Sequence, residues 1–186
     1  MASFGAKRPI WAKIETEPEG ALPTYGEILS LGRLVKADRS ITYASGKLYA
    51  DDQLAESVDE FVSATIAEET DDIPDDVAGE IYGSEVTDGN VRRKSGDNAP
   101  YGGHAYYKVL MRNGVKYYKG YYYPKVKAIL GNDTAQTKGD SITFGTSATT
   151  FTVFECNTGD WCIEQTFDEE EDVITWCDEQ LGGSGS

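Results

Sequence analysis

Ala105-Tyr106-Tyr107-Lys108-Val109-Leu110-Met111-Arg112-Asn113-Gly114-Val115-Lys116-Tyr117-Tyr118-Lys119-Gly120-Tyr121-Tyr122-Tyr123 is the stretch that decides the fold. Aromatic and β-branched residues fill both sides of Asn113-Gly114. That dipeptide favours a two-residue turn with positive φ at both positions, the strongest short-range hairpin signal. A two-residue turn sets Leu110 opposite Tyr117, Lys108 opposite Lys119 and Tyr106 opposite Tyr121. One face of the second strand then reads Val115, Tyr117, Lys119, Tyr121, Tyr123, Lys125 and Lys127, with Lys108 and Arg112 added by the first strand and Pro124 as an interruption.

Outward from this hairpin the same strand grammar recurs. Pro9–Ile14, Glu27–Val35, Ser40–Tyr49, Phe61–Ala67, Ser141–Phe144, Thr149–Glu155 and Trp161–Phe167 are strand candidates. Ser45-Gly46 is a turn signal, and Asn157-Thr158-Gly159-Asp160 is expected to turn the last two strands into a hairpin. Two helices interrupt the pattern. Ile73, Val77 and Ile81 share one face behind Pro74, with Gly83 as the stop. Over 168–181, Asp168 is the expected N-cap, Glu171 completes a capping box, and Val173, Trp176, Cys177 and Leu181 form an apolar stripe. The expected fold is mainly β, an antiparallel β-sandwich or half-barrel with a flanking short helix and a C-terminal helix. Residues 1–24 read as an N-terminal arm holding one strand, 25–181 as the β domain, and 182–186 as a linker-like tail or appended scar.

The 186 residues carry a net charge of −15, which argues against attraction of the whole protein to DNA or to an anionic membrane. The charge is segregated. Residues 51–85 hold thirteen acids and no Lys or Arg, residues 139–186 hold eleven acids and no Lys or Arg, and residues 86–138 hold ten basic residues against three acids. Such blocks serve as solvated faces or as surfaces that meet between copies of the chain. Twelve tyrosines suit interfaces, because each ring is apolar with a polar tip. Three cysteines, Cys156, Cys162 and Cys177, lack the spacing of a disulfide framework or a zinc site and read as packing residues in a reducing cytoplasm. No apolar run suits a signal peptide or a membrane span.

Catalytic patterns are sparse. His104 is the single histidine, which leaves no multi-histidine metal site and reads as a structural residue. Asp168–Asp172 lacks the alternation and glycine of a calcium loop. No phosphate loop or dinucleotide fingerprint occurs. No enzyme activity, metal or cofactor is expected. The Lys/Tyr face supports two readings: an interface between subunits through Lys108, Arg112, Lys119 and Tyr121, which is favoured, or a single-strand nucleic-acid-binding β domain.

Several segments resemble the major tail protein, or tail-tube protein, of long-tailed non-contractile bacteriophages. They are Gly5-Ala6-Lys7 with the strand around Trp11, Lys47-Leu48-Tyr49-Ala50-Asp51-Asp52 followed by Glu56-Ser57, the helix from Ile73 to Gly83, Ala99-Pro100-Tyr101, Tyr123 through Lys127, and Thr137-Lys138-Gly139-Asp140-Ser141-Ile142. Together they run from Gly5 to Phe154. The resemblance implies hexameric rings stacked into a hollow conduit around a tape-measure protein, closed by tail terminator and distal tail proteins. The genome passes through without specific binding. It implies a place in the virion tail, assembled in the host cytoplasm, with no membrane partner. The inner tube of a contractile tail or injection machine shares this architecture. Residues 36–56 resemble the family's long excursion between strands and are expected to reach the next ring; Leu48, Tyr49, Asp51 and Asp52 join the inter-subunit candidates. Glu56, Asp59 and Glu60 are candidates to face the lumen.

Overall fold

The structure is a computed structural model that describes residues 2–50, 53–132 and 145–183. Ten strands and two helices follow one another: β1 (Ala2–Thr16), β2 (Thr24–Ser30), β3 (Leu34–Ala50), β4 (Gln53–Thr70), α1 (Asp75–Tyr82), β5 (Glu85–Thr87), β6 (Asn90–Arg92), β7 (Tyr101–Arg112), β8 (Val115–Leu130), β9 (Ser147–Phe154), β10 (Ile163–Phe167) and α2 (Glu170–Gln180). The protein is mainly β. One antiparallel sheet of order β2-β1-β7-β8-β9-β4-β3, with β10 also on β8, curls into a half-barrel.

The β7–β8 hairpin forms as its sequence dictates. Asn113 and Gly114 have φ of 50° and 78°, and the expected pairs Leu110↔Tyr117, Lys108↔Lys119 and Tyr106↔Tyr121 are present. Alternation then buries both sides of this central pair. Inside the curl, Tyr106, Tyr123, Val126 and Phe151 pack with Trp11, Ile66 and the Val77–Ile81 face of α1. On the outer side, Tyr107, Tyr122, Ile10 and Ala105 receive Val173, Trp176, Cys177 and Leu181 of α2. A register shift between Gly102 and His104, opposite Pro124, moves Val126 and Ala128 to the inner side. The basic–aromatic stripe therefore changes face there, and Lys125 and Lys127 sit instead over the Tyr101 ring.

Within the expected arm 1–24, residues 2–16 do not hang free. β1 is an interior strand bonded to β2 and β7, and Trp11 is fully buried. Pro9 is tolerated because it falls in an irregular step, where Arg8 has φ 56° and pairing shifts between Lys7 and Ile10. Trp11 fits because its indole lies over Gly102, the partner of Lys13 on β7, where a Cβ would come within 2.2 Å of the ring.

Glu27–Val35 is likewise not one strand. β2 stops at Ser30, and Gly32 turns the chain with φ 87° against the Asp72 carbonyl. Asn157–Asp160 does turn, but not into a hairpin. β9 pairs with Lys125–Leu130 and β10 with Tyr118–Tyr122, so the two strands lie end to end along one edge of β8 while 155–162 loops out. Asp168 does not cap α2. The helix starts at Glu170 with no side-chain cap, and Glu170 instead bonds Lys7 and the Tyr107 hydroxyl. β5 and β6 were not expected, although their Asp88-Gly89 turn, φ 51° and 75°, is the same kind of signal as Asn113-Gly114. The expected strand 141–144 lies outside the described residues.

Candidate assembly surface

Of the expected loop 36–56, residues 36–50 and 53–56 are strand. β3 and β4 pair along their whole length, and Ser45-Gly46 lies mid-strand, opposite Asp59 and Val58. β4 touches β9 only from Ala64 to Thr70. Beyond that point nine successive pairs, Thr42↔Ser63 to Ala50↔Gln53, continue as a two-stranded ribbon, roughly 30 Å long at 3.3 Å per pair. Its rise follows the direction of the β7–β8 turn, so ribbon and turn point to the same end of the molecule.

The ribbon exposes large apolar side chains to solvent, among them Leu48 (58%), Tyr49 (64%) and Val58 (54%), with Tyr43 and Val62 similarly open. β3 also forms one end of the sheet, so among the described residues its outer edge is unpaired. A two-stranded ribbon is marginal alone in water, and an open edge with apolar side chains is a template for another chain. Cross-strand register divides its residues. Leu48 lies opposite Glu56, Gly46 opposite Val58 and Ala44 opposite Glu60, all on one face. Asp59 is on the other face, accepting a bond from Ser45 Oγ. Leu48 and Glu56 therefore share a surface, although sequence reasoning sent one to an interface and the other to the lumen. Asp51 and Asp52 lie outside the described residues.

A charged aromatic knot fixes the ribbon's base. Arg39 of β3 reaches across the curl to donate to Glu164 Oε1 of β10 at 2.8 Å, and its guanidinium stands over the Tyr121 and Trp161 rings. Phe61 of β4 stacks on Trp161, 4.5 Å between centroids and 7° from parallel. Lys119 binds the other oxygen of Glu164, and Lys108 lies over the Tyr106 and Tyr121 rings. The acid that the opposed Lys108 and Lys119 need thus comes from the same chain. Burial acts to raise the Glu164 carboxyl, but the bonds from Lys119 and Arg39 outweigh it and hold the carboxyl below its ordinary value. Arg112 sits apart at the hairpin end, over the Tyr117 ring.

A second clasp lies deeper. His104, fully buried on β7, points Nδ1 at the Ile10 carbonyl (2.9 Å) and Nε2 at Glu68 Oε1 of β4 (2.7 Å). The carbonyl only accepts, so Nδ1 carries a hydrogen, and one further proton lies between Nε2 and the carboxyl group. The contact joins strands that are not neighbours in the sheet and closes the curl. Its histidine was visible in the sequence, but its partner was one of thirteen acids in a block. Arg39 and Glu164 gave no local pattern either, since their meeting depends on the curl.

The described residues contain no cluster of His, Cys, Asp and Glu able to hold a metal, and no helix among them is long and apolar enough to cross a membrane. The chain matches no protein-family model and no curated protein.

Proposed function

We propose that this chain is a structural subunit that polymerises, and that its polymer is a phage tail tube: hexameric rings stacked around a tape-measure protein, capped by terminator and distal tail proteins, serving as a conduit for DNA. The observation that carries the self-assembly is the projecting ribbon with its exposed Leu48, Tyr49 and Val58 and an edge that no other described strand pairs. The tail-tube identity adds the resemblance of Gly5–Phe154 to that family. No reaction is assigned to the chain.

The nucleic-acid reading loses its motive, because a stacking platform needs open rings. Tyr123 is fully buried, and Lys119 and Lys125 are engaged by Glu164 and Glu17.

Light scattering and negative-stain electron microscopy of the purified chain test the proposal. Rings or tubes are expected, on their own or when seeded by other tail components. Trimming the ribbon from Tyr43 to Phe61 into a short turn should leave a folded monomer. A chain that stays monomeric even with those components, or a trimmed chain that polymerises normally, refutes it. A sheath protein encoded beside the chain would assign the tube to a contractile tail.

A further inference from the structure

We infer that the acidic–apolar face of the ribbon docks into a basic, apolar-walled groove at the opposite end of the next copy, an inference that rests on the self-assembly proposed above. The groove lies where β8 ends, far from the β7–β8 turn and hence from the ribbon tip. Its lining includes Tyr82, Arg93, Lys94, Lys127, Ile129 and Leu130. Ile129 is 56% exposed and Leu130 47% exposed, an apolar pair open to solvent.

The surrounding charges are mostly positive. Arg93 stands over the Tyr82 ring and, among the described residues, has no carboxylate within ion-pair distance. Among the described residues, Lys127 donates only to the Asn98 amide oxygen, at 2.7 Å. Lys94 is paired with Glu85, and the carboxylate lining the groove, Asp97, is taken up by the Lys94 backbone N–H.

The ribbon face mirrors this arrangement. Leu48 and Val58 form an apolar centre, and Glu56 and Glu60 flank Val58 at two residues on either side, about 13 Å apart along the strand. Both carboxylates are exposed and enter none of the chain's own ion pairs among the described residues. Apolar centre meets apolar centre and carboxylates meet cations. Because ribbon and groove occupy opposite ends, the contact is heterologous: every copy uses its ribbon once and its groove once, and the chain of contacts stays open for growth along one direction.

Two charge reversals test it. Glu56→Lys with Glu60→Lys reverses the ribbon, and Arg93→Glu with Lys127→Glu reverses the groove. All four positions are on the surface, and circular dichroism checks that each variant folds. Each variant alone should need at least ~10-fold more protein to polymerise than the unaltered chain. Mixed in equal amounts, they should polymerise again, because each variant's altered end then meets its opposite on the other. An unaltered chain that never polymerises brings down the assembly proposal itself. An unaltered chain that polymerises alongside two variants that also do so, or two that fail separately and fail mixed, overturns the groove and leaves assembly standing.

Discussion

Replacing Glu68 by leucine should lower stability by ~3–5 kcal/mol, the usual cost of removing one partner of a buried, hydrogen-bonded acid–base pair. The magnitude follows from the site. The two side chains are 0% and 1% exposed, so neither can recover a bond from water. His104 Nε2 would face leucine, while its Nδ1–H is already committed to the Ile10 carbonyl. For a chain of 186 residues each kcal/mol moves the melting temperature about 2–4 °C, so a fall of roughly 6–20 °C is expected. Glu68→Gln should be far milder, because the amide can donate to the neutral imidazole and keeps the shape. Replacing both His104 and Glu68 by leucine should cost less than the two single changes added together, since the contact between them is then lost once and only the Ile10 carbonyl is left without its side-chain donor. Thermal and urea unfolding followed by circular dichroism measure all four proteins. If Glu68→Leu costs under ~1 kcal/mol, or the double replacement costs the plain sum, the pair does not close the curl in the way its geometry implies.

Burial raises the phenols of Tyr25, Tyr106, Tyr107 and Tyr123 well above their ordinary value and pushes Tyr122 up to about 12. The neutral rings are favoured in the fold, so their stabilisation is present below pH ~10 and lost as pH rises through the folded values; phenolate absorbance should appear late and together with unfolding, not gradually from pH 10. Glu170 is held low by Lys7 and then Tyr107, and Glu164 by Lys119 and Arg39 despite its burial, so their contribution is present above pH ~4.3 and lost on acidification; replacing both by Gln should flatten the acid limb of a stability–pH curve. Burial pushes the Cys162 and Cys177 thiols up to about 12, so iodoacetamide at pH 8 should label neither in the folded chain and both in urea; rapid native labelling would contradict the packing. Gly102→Ala should cost ~1–3 kcal/mol by forcing a Cβ into the Trp11 indole, measured by urea unfolding.

The parts legible in the sequence were those set by neighbours along the chain. Asn113-Gly114 determined a turn and a register because the constraint is local φ. Ile73, Val77 and Ile81, and Val173, Trp176, Cys177 and Leu181, showed their buried faces because helical periodicity is local too. What failed depended on partners far away. Pro9 and the flanking glycines suggested a loose arm, yet the chain supplies β7 about a hundred residues later to hold β1 in the interior. Ser45-Gly46 has turn composition, but pairing with Val58 and Asp59 overrides it. Asn157–Asp160 looked like a hairpin turn because the loop chemistry is the same whether the chain reverses or rejoins the same edge. In the candidate surface, the sequence pointed to Leu48 and Tyr49, which are exposed, whereas Arg39 and Glu164 gave no signal, because only the curl brings β3 to β10.

The interior place of β1 also sets an order on how the molecule is made. Its edge toward β2 can be satisfied within the first thirty residues, but its other edge waits for Tyr101–Arg112. At a synthesis rate of about 5–20 residues per second, the first strand spends roughly 5–20 s beside the ribosome with that side open, before the tunnel delay is added. During that interval the nascent chain presents Ile10, Trp11 and Ala12, all destined for the core, and already carries the ribbon with its exposed Leu48, Tyr49 and Val58. Closure of the sheet is thus a late event dominated by long-range pairing, which favours slow folding. Crowding many ribosomes on one message would bring unfinished chains together when each is most able to mispair.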